Sequence, residues 1–569
     1  MKKRTLITLL TLGWAGRTLY QNRWHILSRL VGLPSPRYPV GQRTAVTIPM
    51  PDGVNLIADH YFPQAQGEFP TLLIRTPYDR REMTTLFGYV YAAQGYHVVV
   101  QDTRGRFASE GDFVPFRHEA ADGEATIAWL RAQPWCNGVI GMFGQSYVGY
   151  VQWAAASRNP AGLQAIVPAI TESRLAPTVR DGWALDNLLR WLLILSVDER
   201  VKAGAPFWER LRLTLDSSYQ DQRLLPGQWH LPVGEADTLV RDQPAPYYRA
   251  WLAHPEPDDP YYDDIDHSGA VGQVAAAAHL IAGWHDLFLH DQLVDYARLR
   301  AGGKRPYLTI GPWSHTDLGG MALSLREGLD WFDAHLKQKP DQLRPQPVRV
   351  YLMGADEWHD LADWPPPAAT TPFYLQAAGR LAQQTPAADS PPDQYRYNPA
   401  DPTPSLGGPL LKTGGAGAVD QRPLLSRDDL LFYQTDPLLQ PLTLMGPVRL
   451  RLYITSSRPH TDFFGRLCDV YPDGRVLNIC EGLLRLWPGR AEVVMADGVQ
   501  QIEIDMWSTA YRFQPGHRLA LFVTSAAFPR VARNLNTGEP HLTGRRLFTA
   551  DQTVYHDTKR PSALLLPII

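Results

Sequence analysis

The sequence predicts an α/β protein: a mostly parallel sheet covered by helices, interrupted by a helical insertion and followed by a β-rich half. Three observations predict it. Apolar β-branched runs alternate with segments of helical spacing from about residue 40 to 170, and the alternation resumes near residue 275. Between these blocks lies a stretch rich in Leu, Trp, Arg and Asp with no strand periodicity. Past Pro365-Pro366-Pro367, short period-two segments separated by turn residues take over.

The chain opens on a basic segment, residues 1–39. No Asp or Glu precedes Asp52, whereas Lys2, Lys3, Arg4, Arg17, Arg23, Arg29, Arg37 and Arg43 do. The apolar run 5–12 falls far short of the roughly 20 residues a membrane span needs. With its basic start and Gly13-Trp14-Ala15 it has the outline of a minimal signal peptide. Residues 17–33 have the spacing of a basic amphipathic helix, Leu19, Trp24, Leu27, Leu30 and Val31 forming its apolar side. Such a helix suits weak contact with a membrane surface or packing on the protein's own surface, and packing is favoured. A cytoplasmic protein is expected, with export or membrane association through residues 1–33 as the alternative.

Residues 40–171 and 275–365 are expected to build the parallel sheet, with strands at 71–74, 97–100, 139–143, 163–167, 279–282 and 307–310. Helical spacing covers 81–93, 118–131, 287–299 and 321–336. Residues 172–274 read as a helical cap, with helices at 183–197 and 206–215. In residues 366–569, strands at 448–454 and 502–506 with turns at 472–474 and 515–517 indicate a β-sandwich; the Pro-, Gly- and Ala-rich segment 379–420 reads as long surface loops. A hairpin around Tyr471-Pro472-Asp473-Gly474 sets Cys468 opposite Leu477 and Cys480 three places further, so no bridge between the cysteines is expected.

Composition narrows the function. A chain of 569 residues exceeds one compact core and should hold two to four domains. A net charge of −3 gives no support for a polyanionic partner, so nucleic-acid binding is not expected. Three cysteines without C-x-x-C spacing mark neither a disulfide framework nor a metal site, and no metal or cofactor is expected. The acidic stretch holding Asp258, Asp259, Asp263, Asp264 and Asp266 lacks histidine spacing or an EF-hand pattern and reads as solvated. Oligomeric state leaves no sequence signal.

The chemistry is carried by the residues just past the strands. Arg75-Thr76-Pro77-Tyr78 comes after the first, Gly144-Gln145-Ser146 after the third, Gly283-Trp284-His285-Asp286 after the fifth and Gly311-Pro312-Trp313-Ser314-His315 after the sixth. In a parallel sheet the carboxyl ends of the strands share one edge, where ligands bind. Tyr78, Ser146, Asp286 and His315 therefore converge. A serine hydroxyl is a weak nucleophile and needs a base; an imidazole suits neutral pH, and a buried carboxylate fixes its tautomer. The order Ser146, Asp286, His315 is that of α/β-hydrolases. Gly144 and Gly149 suit a strand-to-helix elbow, although the usual spacing places the second glycine at Val148. His285 and His290 flank Asp286 and are the less favoured bases. Asp102, Arg104 and Glu110 read as a structural ion-pair loop beside the active edge.

Together, residues 144–149, residues 102–111, Gly283-Trp284-His285-Asp286, Gly311-Pro312-Trp313-Ser314-His315 and the ending Val554-Tyr555-His556-Asp557 with Pro561-Ser562 resemble the cocaine esterase-like (CocE/NonD) hydrolases, related to X-prolyl dipeptidyl peptidases and α-amino-acid ester hydrolases. The resemblance implies an α/β-hydrolase domain, an inserted helical cap and a C-terminal jelly-roll (galactose-binding-like) domain. It implies Ser146 as nucleophile, His315 as base and acid, Asp286 as orienter, and the Tyr78 hydroxyl with the Tyr147 backbone N–H as oxyanion hole.

Hydrolases selective for α-amino-acid esters carry carboxylates two and three places past the triad Asp, where this chain has Phe288 and Leu289. That pair cannot compensate a buried ammonium, so an apolar or aromatic acyl group is expected instead, lined by Phe288, Trp183 and Trp191. The expected activity is hydrolysis of a small-molecule ester through an acyl-serine. An X-Pro dipeptidyl peptidase acting on short peptides, or a non-catalytic binding protein on the same fold, are the alternatives.

Overall fold

The computed structural model describes residues 28–29, 32–174, 178–179, 182–202, 204–491 and 493–569. The run at 5–12 and most of the helix expected at 17–33 lie outside them; Leu33 is buried in the apolar cluster that holds Leu72, Val98 and Phe332.

The first part begins with the antiparallel strands β1 (Val40–Pro49) and β2 (Asn55–Pro63), then β3 (Phe69–Thr76), helix α1 (Thr84–Ala92) and β4 (His97–Asp102). Helix α2 (Glu119–Arg131), β5 (Cys136–Gln145), α3 (Tyr147–Ala156) and β6 (Leu163–Ala169) follow. The expected helix start at 81 is displaced because Asp79 Oδ1 accepts the Arg81 N–H at 3.0 Å, closing a turn that delays α1 to Thr84.

After β6 comes a two-residue ribbon, β7 (Thr178–Val179) with β8 (Gly182–Trp183), too short to leave an alternation in the sequence. The cap then runs through α4 (Leu185–Lys202), α5 (Phe207–Leu215), α6 (Ser217–Trp229), α7 (Ala236–Arg241) and α8 (Pro246–Ala253). The sheet resumes with β9 (Ala277–His285), α9 (Leu289–Ala301), β10 (Tyr307–Ser314) and α10 (Leu318–Leu336), and closes with β11 (Val348–Leu352) and β12 (Glu357–Leu361). Helix α10 starts three residues before the expected position because Asp317 caps it, accepting the Gly319 N–H at 2.7 Å.

The order is β1-β2-β4-β3-β5-β6-β9-β10-β11-β12, parallel from β4 to β11. Strands such as β4 are buried at every residue because helices cover both faces, which is why they read as unbroken apolar runs. This is an α/β-hydrolase sheet with a helical cap, followed by a C-terminal jelly-roll. The strand Leu442–Ser456 is the hub of the jelly-roll, pairing along its length with Gln500–Phe513, Ala550–Asp557 and Ala563–Ile568.

Two expectations in this half are corrected. The segment 379–420 is not all surface loop: it holds strands Arg380–Ala382 and Asp393–Tyr397, and beyond them Leu411 N–H donates to Asn187 Oδ1 of α4 at 2.8 Å. Thr316 Oγ1 fixes the same segment by donating to the Lys412 carbonyl at 2.9 Å, so polar anchoring replaces the apolar pattern that would have announced burial. Cys468 faces Asn478 rather than Leu477, and a bulge after Leu467 sets Cys480 opposite Leu467. Both thiols are free. Among the described residues no helix is long and apolar enough to cross a membrane.

Candidate active site

The site is built on the turn from β5 into α3. Ser146 takes φ 57° and ψ −125°, a conformation rare for a residue with a side chain, and its N–H donates to the Ala169 carbonyl at 3.0 Å. Both glycines are required by close approach. A Cβ on Gly144, at φ +152°, would lie 2.1 Å from Val148 Cγ1. One on Gly149 would lie 2.5 Å from Thr171 Cγ2, where α3 crosses the end of β6. The second glycine thus stands three places after the serine because Thr171 meets the helix there.

Three of the sequence-derived residues are in hydrogen-bond sequence. His315, just past β10, has Nε2 3.0 Å from Ser146 Oγ and Nδ1 2.7 Å from Asp286 Oδ2. Asp286 is fully buried past the end of β9, and its other oxygen accepts the Phe288 N–H at 2.8 Å. That bond closes a turn and delays α9 to Leu289. An Asp carboxylate facing Nδ1 favours the tautomer that leaves Nε2 as an acceptor toward the serine hydroxyl.

Tyr78 sits beyond β3 and lines the same cavity as Ser146; the Trp191 indole N–H donates to its hydroxyl at 2.8 Å. With one lone pair occupied by the indole, the phenol keeps its own proton to donate to a further acceptor. Burial raises its pKa to about 12, with the Trp191 bond opposing, so the hydroxyl stays a donor at neutral pH. Tyr147 opens α3, where the first N–H groups of a helix lack an intrahelical acceptor. Its side chain points the other way, donating to Glu119 Oε1 at 2.7 Å and accepting the Phe116 N–H at 2.9 Å.

The loop at 102–111 supports this edge without entering it. Arg80 bridges Asp59 and Asp102, and Arg104 pairs with Asp122 at 2.6 Å and Asp52 at 2.7 Å. Arg106 donates to the Pro77 carbonyl at 2.9 Å and to Leu195 of the cap at 3.0 Å, tying the Tyr78 turn to α4. His285 turns away from the serine, its ring 3.6 Å from where a Gly417 Cβ would stand, and burial lowers its pKa to about 4. His290 lines the cavity, with Nδ1 3.6 Å from Asp505.

A cavity opens beside Ser146, between the sheet edge, the cap and the jelly-roll. Phe288 and Trp191 line it. Trp183 does not: it is buried behind the cap wall against Tyr248, ring centroids 5.6 Å apart, because the chain reaches α4 only two residues later. Ala184 takes its place at the wall. Sequence reasoning missed Phe116, Glu172, Trp251, Asp291, Leu411 and Trp507, all of which line the cavity. Only Asp291 carried a signal, lying three residues after Phe288 on the same face of α9. Leu411 and Trp507 arrive from the C-terminal domain, a distance in sequence that no local pattern spans. The acidic stretch near residue 260 is neutralised at the surface by Arg174, to Asp258 and Asp266, and by Arg117, to Asp264. Among the described residues no cluster of three or more metal-ligating side chains occurs.

The family model described as X-Pro dipeptidyl-peptidase (S15 family) matches residues 52–317, and that of the X-Pro dipeptidyl-peptidase C-terminal non-catalytic domain matches 343–565. The cocaine esterase of Rhodococcus sp. (strain MB1 Bresler) is 36% identical over 571 residues, covering 92% of this chain and 98% of the relative. Among solved structures, an aminopeptidase from a marine sediment archaeon, Thaumarchaeota archaeon, superposes with a TM-score of 0.78 at 23% identity, covering 94% of this chain and 98% of the other. An α-amino acid ester hydrolase superposes with a TM-score of 0.76 at 23% identity and the same coverage. At these identities the structural likenesses speak to the fold.

Proposed function

The chain belongs to the family of cocaine esterase-like hydrolases related to X-Pro dipeptidyl-peptidases and α-amino-acid ester hydrolases, and from that premise we propose that it cleaves carboxylic esters through an acyl-Ser146 intermediate. Membership makes it a serine hydrolase; the roles of individual residues belong to the proposal.

The observation that carries the reading is the unbroken hydrogen-bond chain from Ser146 Oγ through His315 to the buried Asp286. His315 Nε2 takes the serine proton as Oγ attacks the ester carbonyl, and Asp286 stabilises the imidazolium that forms. Negative charge then moves onto the carbonyl oxygen, where the Tyr78 hydroxyl and the Tyr147 N–H serve as donors. The intermediate collapses as His315 returns the proton to the departing alcohol, leaving acyl-Ser146. Water, deprotonated by His315, attacks the acyl carbonyl, and the acid leaves with Oγ reprotonated.

A fluorophosphonate probe and short aryl and alkyl esters test this. Wild type is expected to be labelled and to hydrolyse the esters, Ser146→Ala to do neither, and His315→Ala to lose hydrolysis. Cleavage of X-Pro amides without ester hydrolysis would replace the esterase reading with the peptidase one. An unlabelled wild type would leave a binding protein.

A further inference from the structure

Tyr78 is mounted on a peptide unit that is held at both of its polar ends. The Pro77 carbonyl accepts from Arg106 Nε at 2.9 Å, and the Tyr78 N–H of the same unit donates to Thr76 Oγ1 at 3.1 Å. With that plane fixed, and the φ of Pro77 restricted by its ring, the Tyr78 side chain has little freedom in the direction it leaves the backbone.

Arg106 carries this hold beyond the turn. Its Nη2 donates to the Leu195 carbonyl of α4 at 3.0 Å, and its Nη1 stands 3.5 Å from Asp198, three residues further along the same helix. The residue is only 3% exposed, lies 4.8 Å from the centre of the Phe113 ring and does not line the cavity. Its own backbone is tied to the end of β3, because Arg106 N–H donates to the Thr103 carbonyl at 3.1 Å and Thr103 N–H to the Thr76 carbonyl at 3.0 Å.

The contrast with Arg104, two residues earlier, shows what this geometry does. Arg104 sets Nε and Nη2 on the two oxygens of one carboxylate, that of Asp122, at 3.0 and 2.6 Å, the fork that suits an ion pair. Arg106 sets the same edge of its guanidinium on two backbone carbonyls from separate parts of the chain, and leaves only Nη1 toward an acid. Burying a guanidinium in this way costs stability that one carboxylate at 3.5 Å repays poorly. What the planar fork supplies is a fixed spacing between the Tyr78 turn and the cap. Leu195 stands one turn beyond Trp191, whose indole holds the Tyr78 hydroxyl. Helix α4 therefore grips Tyr78 twice, at the hydroxyl through Trp191 and at the backbone through Arg106.

We propose that Arg106 is a positioning residue for ester hydrolysis, locking the peptide unit that carries Tyr78 to α4 so that the phenol hydroxyl stays where the oxyanion forms. The inference rests on the esterase reading and on Tyr78 as an oxyanion donor. Arg106 itself touches neither the cavity nor the reacting atoms. Without it the turn and the helix can part, and a displacement of about 1 Å at a group that acts on developing charge costs up to about 10²-fold in rate. The cavity wall, which meets the substrate, is left in place.

Steady-state hydrolysis of a small aryl ester by the full chain tests this with two variants. Arg106→Met keeps the aliphatic stem and removes every donor; Arg106→Lys keeps the charge beside Asp198 and removes the planar fork. Each is expected to lower kcat by about 10–10²-fold with KM within about threefold of wild type. In a Tyr78→Phe background each should lower kcat by less than about twofold, because the hydroxyl it would misplace is gone, whereas a merely structural role would act in both backgrounds. Thermal unfolding checks that Arg106→Met folds, and Arg106→Lys decides if it does not. An unchanged kcat in a folded variant, a loss confined to KM, or a kcat loss undiminished in the Tyr78→Phe background overturns the inference. The parent proteins separate the failures: with wild type active and Tyr78→Phe impaired, an unaffected Arg106 variant sinks the inference alone. A fully active Tyr78→Phe sinks the inference together with the oxyanion role, and a wild type that neither takes a fluorophosphonate label nor cleaves the ester sinks the esterase reading.

Discussion

Trp191 of the cap donates its indole N–H to the hydroxyl of Tyr78 at 2.8 Å, so a cap residue fixes the direction in which a proposed oxyanion donor points. Trp191→Phe keeps the ring and removes the N–H. We expect kcat for a small aryl ester to fall about tenfold with KM little changed, since the lost restraint matters where charge develops. Tyr78→Phe is expected to lose about 10²–10³ in kcat. In a Tyr78→Phe background the tryptophan change should add almost nothing, because the two act through one hydroxyl. Steady-state kinetics on the four proteins checks it, and additive losses would separate Trp191 from Tyr78.

The parts of the site that were legible in the sequence lie where the fold dictates position. The ends of β3, β5, β9 and β10 share one edge, so Tyr78, Ser146, Asp286 and His315 could be brought together from strand patterns alone. Legibility ended where a few residues of phase decide what a side chain faces. Trp183 fell in the short ribbon before α4 and turned into the cap core, whereas Trp191, two turns along the helix, reaches Tyr78. The polar anchors of 379–420, Asn187 and Thr316, lie far away in sequence, so composition suggested only loop. The Cys480 register was altered by a bulge that hydrophobic alternation does not announce.

Gly149 meets Thr171 where α3 crosses the end of β6, an added Cβ falling 2.5 Å from Cγ2 and 2.8 Å from Cβ of the threonine. Gly149→Ala should therefore destabilise the protein by roughly 1–3 kcal/mol, the usual range for overpacking. Denaturant unfolding measures it. Thr171→Ser removes the nearest atom and should restore part of the loss in the double variant; no recovery would place the strain elsewhere.

His60 and His97 form a buried pair, their rings 3.0 Å apart through Nε2 and Nδ1 and packed on Trp135. Burial lowers their pKa values to about 3 and about 4, with the partner imidazole and Arg43 adding to the effect for His60 and Arg43 for His97. Below the ordinary histidine value of 6.5 the unfolded chain takes up protons that the folded pair refuses, so stability should fall as pH drops from about 6.5 toward about 4. Unfolding midpoints across that window test the sign. The double variant His60→Asn with His97→Asn should show a shallower acid limb than wild type, and an unchanged slope would assign the acid sensitivity to other groups.

Trp507 reaches the cavity from the C-terminal domain, its backbone in the left-handed region at φ 68° and its N–H held by Asp505 Oδ1 at 2.8 Å. It contributes surface to whatever fills the cavity but lies outside the Ser146–His315–Asp286 chain. Trp507→Ala should accordingly weaken the binding of aryl esters, raising KM about tenfold for a contact worth roughly 1–2 kcal/mol, while kcat stays within about threefold. The effect should shrink with acetyl esters too short to reach the indole. Kinetics on matched acetyl and aryl-acyl esters makes the comparison, and an equal fall in kcat for both would mean that the domain positions the reacting groups instead of the substrate.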